Sequence, residues 1–169
     1  MAGSVPKTIG ELELSKLLSS LEAVLDPDVY VFVTLPPKTT PPVDMAIQML
    51  FQEREGLTVI ATKASALQHG LSFTFPCRMI TLDVHSSLEA VGFMAVITTE
   101  LTKLNIGVNP VSAYHHDFLF VPDGREKEAM AVLKEIKQRS KSGNSKGPTS
   151  ELAMSINHPI ESGPLLPPL

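Results

Sequence analysis

The stretch from residue 75 to residue 122 constrains the fold more than any other part of the chain. It reads FPCRMITLDV, then HSSLEAVGFMAVITTELTKLNIG, then VNPVSAYHHDFLFVP, which predicts strand, helix, strand, turn and strand. Ser86 and Glu89 form a capping box, so the helix is predicted to begin directly after the first strand. A helix that begins at a strand end leaves backbone N–H groups unpaired, and these can bind a carboxylate. No residues nearby resemble a catalytic apparatus, so the pattern predicts binding of a small molecule without chemistry.

The first third of the chain predicts one helix and one buried strand. Leucines at helical spacing predict a helix over residues 9–24. The run Asp26-Pro27-Asp28 is expected to end it. Residues 29–35 (VYVFVTL) are β-branched and aromatic, which is typical of a strand buried on both faces.

A hairpin and a short helix come next. Residues 46–52 and 57–62 flank EREG, which predicts a hairpin in which Gly56 has a positive φ. Residues 63–69 predict a short helix that ends at Gly70.

The predicted element order along the whole chain is α-β-β-β-α-β-α-β-β-α. The central helix carries a core stripe of Ala90, Met94, Ile97, Leu101 and Leu104. Asp123 with Glu126 predicts the start of the last helix. Strand–helix–strand units with antiparallel neighbours predict an α+β fold of the ferredoxin-like kind.

Composition excludes several classes of function. The chain has 169 residues, a net charge of -4, 5% aromatic residues and no Trp, which is unlike a nucleic-acid-binding or membrane-surface protein. Its single cysteine, Cys77, excludes an internal disulfide and is expected to be buried and inert. The N-terminal residues lack the apolar run of a secretory signal, and no stretch reaches the roughly 18 apolar residues of a spanning helix. These features predict a soluble, cytoplasmic protein.

The motifs SLEAVG and NIGVNPVSAYHHDFLFVP, with the strand before them, resemble an ACT domain, a small ferredoxin-like module that binds amino acids and regulates enzymes or signalling. The first half, with YVFVTL and MLFQEREGLTVI, is similar to the partner half of tandem ACT-like proteins of unassigned function. These are related to the ACT halves of cytosolic arginine sensors. The resemblance implies tandem βαββαβ-type units, with antiparallel sheets and helices on one face. It predicts an N-terminal unit over residues 8–74 and a C-terminal ACT domain over 75–139. The polar run SKSGNSKGPTS and the Pro-rich end GPLLPPL separately predict a disordered tail over residues 140–169.

The resemblance also implies a ligand site where the strand meets the helix. The loop and first helical turn would face the ligand carboxylate, and the next strand would face its amino group. The ligand-binding residues implied in this way are His85, Ser86, Ser87, Leu88, Glu89, Val91, Gly92, Asn109 and Ser112. ACT domains usually carry an Asp and a Pro-Gly pair in this loop, which this chain lacks, so the acid that would bind the ammonium group is open among Asp83, Glu89 and Asp117.

Simpler interpretations stand beside each of these assignments. Ser86 and Glu89 are also explained by helix capping alone, which contributes about 1 kcal/mol. Asn109 before Pro110 also fits a solvent-facing edge strand. His115 and His116 are adjacent on a strand and point to opposite faces, so they are not expected to share a metal ion.

The leading functional hypothesis is therefore an amino-acid-binding regulatory or sensor protein that uses paired ACT domains and is not an enzyme. The alternative is a ligand-free module for protein interaction or dimerisation with a Pro-rich tail. The expected partners are a small-molecule amino acid and a second copy of the chain or a regulated protein. No cofactor, metal ion, nucleic acid or membrane is expected.

Overall fold

The computed structural model describes residues 13–84 and 86–143, and its elements follow the predicted order. The helices are α1 (Leu14–Ser20), α2 (Lys63–Gln68), α3 (Phe93–Lys103) and α4 (Glu126–Lys141). The strands are β1 (Ala23–Leu35), β2 (Ile47–Gln52), β3 (Leu57–Thr62), β4 (Thr74–Leu82), β5 (Asn109–Ser112) and β6 (Asp117–Pro122). No helix within the described ranges has both the length and the apolar character needed to cross a membrane.

The six strands form one antiparallel sheet in the order β2-β3-β1-β4-β6-β5. The long strand β1 joins the two halves, because it pairs with β3 on one side and with β4 on the other. Helix α2 packs on the β1–β3 half, and α1, α3 and α4 pack on the β4–β6 half. All four lie on the same face of the sheet. The predicted α+β fold with tandem ferredoxin-like units and helices on one face is confirmed.

The larger part of the core lies between α1, α3, α4 and the sheet. Ile97 and Leu101 of α3 are fully buried against Ile80 and Leu82 of β4. Burying a side chain of this size stabilises the fold by about 1.5–3 kcal/mol. This packing fixes the position of α3 on the sheet, and with it the position of the loop that precedes the helix.

The sheet face opposite the helices is also apolar. Its buried cluster consists of Tyr30, Ile60, Cys77, Met79 and Phe120. Register shifts interrupt the β1–β4 pairing, and irregularities of this kind bend and twist a sheet. Side chains on this face therefore bury one another although no described helix covers them.

Strand β1 begins earlier than expected and corrects two predictions. Helix α1 ends at Ser20, not at residue 24, because Ala23 pairs with Leu82 in the sheet. The run Asp26-Pro27-Asp28 lies within β1, at a register shift. Arg78 stabilises this irregular backbone, since its guanidinium donates to the carbonyl oxygens of Asp26 at 2.8 Å and Asp28 at 3.1 Å. The backbone groups that leave the ladder thus keep hydrogen-bond partners.

The hairpin β2–β3 is confirmed, but the predicted role of Gly56 is wrong. Gly56 does not have a positive φ, whereas Gly70 after α2 does, as expected. Gly56 is buried against the backbone of Leu35, and a Cβ on it would lie far inside van der Waals contact with the Leu35 carbonyl oxygen. Close approach of two strands, and not turn geometry, therefore requires glycine at this position.

Candidate functional site

Helix α3 begins at Phe93, which corrects the prediction that Ser86 caps it. The residue before the first turn is Gly92, with φ +92°, and no side chain caps the helix. A backbone in this left-handed region favours glycine. Between β4 and α3, Ser87 organises a loop: its hydroxyl accepts from the Glu89 N–H at 3.2 Å, and its carbonyl accepts from the Ala90 N–H at 2.9 Å. Ser86 and Ser87 therefore belong to a loop and do not cap the N-terminus of α3.

The start of α3 leaves several backbone donors open. Its first helical hydrogen bond runs from the Val96 N–H to the Gly92 carbonyl at 3.0 Å. The N–H groups of Phe93, Met94 and Ala95 precede that bond and have no side-chain cap among the described residues. Such groups carry the positive end of the helix dipole. The helix start can therefore accept an anionic group.

A pocket of about 130 Å³ lies at this helix start. It is lined by Ser86, Ser87, Leu88, Ala90, Gly92, Phe93, Met94, Ala95, Ser112 and Asp117. The first turn of α3 forms one side, and the end of the β5–β6 hairpin supplies Ser112 and Asp117. The pocket therefore combines open amide donors with a carboxylate.

Asp117 is the negative pole of this pocket. It pairs with Ser112 across the hairpin and is only 6% exposed. Its carboxylate accepts from the Ser86 hydroxyl at 2.8 Å and also from the Ser112 hydroxyl. A carboxylate has about four acceptor sites, so two remain. Among the described residues no Lys, Arg or His forms an ion pair with it, and buried charges are normally paired.

Of the eight predicted binding residues that the structure describes, it brings five together and leaves three outside the pocket. Ser86, Ser87, Leu88, Gly92 and Ser112 line the pocket. Glu89 is exposed on the same loop, and Val91 is 84% exposed. Asn109 is the cross-strand partner of Phe120, so it lies on the sheet face away from the helices and from Ser112. The assignment of His85 lies outside the described residues.

Asp83, another acid considered for the ammonium group, does not line this pocket, and neither do His115 and His116. Asp83 is exposed and approaches His116, with 3.7 Å between Oδ1 and Nδ1. His115 packs edge-on against Tyr114, with ring centroids 4.8 Å apart. In the described part of the chain no three His, Cys, Asp or Glu side chains converge as metal ligands. Burial raises the pKa of the Cys77 thiol to about 12, so little reactive thiolate forms near neutral pH.

Sequence reasoning missed the lining contributed by Ala90, Phe93, Met94 and Ala95 because it placed the helix start too early. It also did not decide which of Asp83, Glu89 and Asp117 would bind the ammonium group of a ligand. The signal for Asp117 was the hairpin itself: Ser112 and Asp117 flank the AYHH turn, and residues that flank a hairpin turn are cross-strand neighbours. That pairing brings Ser112 and Asp117 to the same face of the sheet.

Comparison with known protein families gives two matches in tandem. An ACT-domain model matches residues 9–78, and a second ACT-domain model matches residues 74–135. A comparison with curated proteins gives no match.

Solved structures share the fold over most of this region. A Vibrio cholerae protein of unknown function, with a suggested transport role, is 34% identical, with 73% of this chain and 95% of that chain covered and a TM-score of 0.67. A protein from Agrobacterium tumefaciens is 13% identical, with 69% of this chain and 89% of that chain covered and a TM-score of 0.60. The aspartokinase alpha and beta subunits are 12% identical, with 68% of this chain and 95% of that chain covered and a TM-score of 0.53. The chain therefore belongs to the ACT-domain family and carries two ACT units in tandem.

Proposed function

We propose that this protein is a regulatory or sensor protein that binds a free α-amino acid and performs no chemistry on it. The observation that carries the proposal is the presence of two opposite poles in one small pocket. The open N–H groups at the start of α3 match a carboxylate, and Asp117 with its two spare acceptor sites matches an ammonium group. A zwitterionic amino acid presents both groups close together.

The surroundings of the pocket support binding without catalysis. Apart from Asp117, the described side chains that line it are small hydroxyl-bearing or apolar groups. His116 lies against Asp83, and His115 lies against Tyr114. Membership of a family of regulatory domains agrees with this proposal. A bound ligand would connect the 86–92 loop, α3 and the β5–β6 hairpin. It would thereby change how these elements pack, and that change would alter the contacts of the protein with a second copy or a regulated protein.

Thermal unfolding of the full chain with each of the twenty amino acids in turn tests this function. A ligand present at about 100 times its dissociation constant is expected to stabilise the fold by about 2.7 kcal/mol. For a chain of this size, that raises the melting temperature by roughly 5–10 °C. A melting temperature unmoved by all twenty would contradict the proposal and leave a ligand-free interaction module as the better account.

Asp117→Asn tests the ammonium pole directly. The change keeps the shape of the side chain and both serine contacts but removes the charge that would pair with the ligand. We expect the affinity for the bound amino acid to fall by about 30-fold, measured by titration calorimetry at fixed ionic strength.

Two further variants make this measurement specific. Glu135→Gln removes the same charge from an exposed site on α4 and should leave the affinity within about twofold. An unchanged affinity in Asp117→Asn, or a larger loss in Asp83→Asn, would show that Asp117 is not the ammonium partner.

A further inference from the structure

We propose that this pocket selects small neutral amino acids of the size of glycine, alanine or serine, and that Met94 sets the size limit. The inference rests on the proposed function, because it concerns which amino acid the same pocket accepts.

The volume of the pocket is the first argument. The pocket measures about 130 Å³. Pockets for drug-sized ligands measure about 300–1,000 Å³. The carboxylate and ammonium groups of an amino acid therefore occupy most of the space between α3 and Asp117. Only a short side chain fits beside them.

The chemistry of the lining is the second argument. Among the described residues that line the pocket, Asp117 is the single charged one. Its spare acceptor sites are taken by the ligand ammonium group, so a lysine or arginine side chain finds no second carboxylate there. An acidic side chain would lie next to the buried Asp117 carboxylate, which is unfavourable. A neutral side chain meets neither problem.

The apolar wall identifies the residue that limits size. Phe93 is 2% exposed and belongs to the main core, so its ring is fixed by packing. Ala90 is small, and Leu88 is 67% exposed at the rim. Met94 is half-buried, lines the pocket and packs against the edge of the core. It is therefore the large apolar side chain whose removal would enlarge the pocket most without opening the core.

Calorimetric titration of the full chain with glycine, alanine, serine, leucine, phenylalanine and lysine tests the size class. We expect one of the three small ligands to bind at least about tenfold more tightly than leucine, phenylalanine or lysine, since a misfit of one or more methylene groups against a packed wall costs about that much. Tightest binding of leucine, phenylalanine or lysine overturns this inference while leaving the proposed function intact. Absence of binding by all six ligands overturns this inference, and a melting temperature unmoved by all twenty amino acids overturns the proposed function as well.

Met94→Ala tests the size limit. The variant is expected to lower the preference for alanine over leucine by at least about tenfold. Met130→Ala is the matched control, because Met130 is a half-buried methionine on α4 that packs on the same core outside this pocket. An unchanged preference in Met94→Ala, or an equal change in Met130→Ala, overturns the role of Met94. If Met94→Ala does not fold, the ligand series on the unmodified chain still decides the size class.

Discussion

Replacing Phe120 with alanine is expected to lower the free energy of unfolding by about 3–5 kcal/mol. Phe120 is 1% exposed on the sheet face that carries no described helix. Its ring packs edge-on against Tyr30 and Phe32, with centroids 6.0 and 5.9 Å apart. Alanine would remove both aromatic contacts and leave a cavity in the middle of the sheet. Urea unfolding followed by far-UV circular dichroism is the appropriate measurement, since the chain has no Trp and two Tyr.

Phe51→Ala is the matched control for this measurement. It makes the same chemical change on edge strand β2, where the side chain is 61% exposed. We expect a loss below about 1 kcal/mol there, because little apolar surface leaves water at that site. Equal losses in the two variants would mean that the helix-free face is not part of the core.

The sequence predicted the element order because the helices and strands have clear and different periodicities. It predicted burial on both faces for residues 29–35 of β1, and Tyr30 and Val31 are both buried, but it did not predict this for β4. On β4 the alternation of Ile80 and Leu82 indicates the helix-covered face, yet Met79 on the other face is also buried, beside Cys77, for which burial was expected. Local alternation indicates how apolar a face is, but burial of the opposite face depends on how the whole sheet bends. That bend arises at register shifts between β1 and β4, which are distant in sequence.

The loop beside this pocket was recognised from the sequence, but the start of α3 was not. The loop after β4 was identified because Ser, Glu and Gly patterns mark strand-to-helix transitions. The capping box placed the helix start at Ser86, although the helix begins seven residues later at Phe93. Tertiary contacts explain the difference: the Ser86 hydroxyl donates to Asp117, thirty-one positions away in sequence. Ser86 and Glu89 match the capping-box pattern, yet Ser86 makes a long-range contact with Asp117 instead of capping a helix. The sequence pattern alone does not distinguish a helix cap from such a contact.

Replacing Gly56 with alanine is expected to lower the free energy of unfolding by about 3 kcal/mol, at the upper end of the cost of overpacking. A Cβ at this position would press on the Leu35 carbonyl oxygen and lie 3.4 Å from its carbon. Both are backbone atoms at the end of the β1–β3 ladder, where Leu35 pairs with Leu57. Neither atom can rotate away as a side chain would, so the two strands must separate locally. Urea unfolding is again the measurement.

Two comparisons separate close packing from turn geometry as the reason for glycine at this position. Gly107→Ala is the control, because a Cβ there meets no atom within 4 Å and its φ is not positive; its stability should stay level or rise by up to about 1 kcal/mol. Gly56→Asn discriminates between the two causes. If a positive φ were the requirement, Asn would be tolerated better than Ala. Because the requirement is space, the larger Asn should cost at least as much as Ala, and a more stable Asn variant would contradict close packing against Leu35.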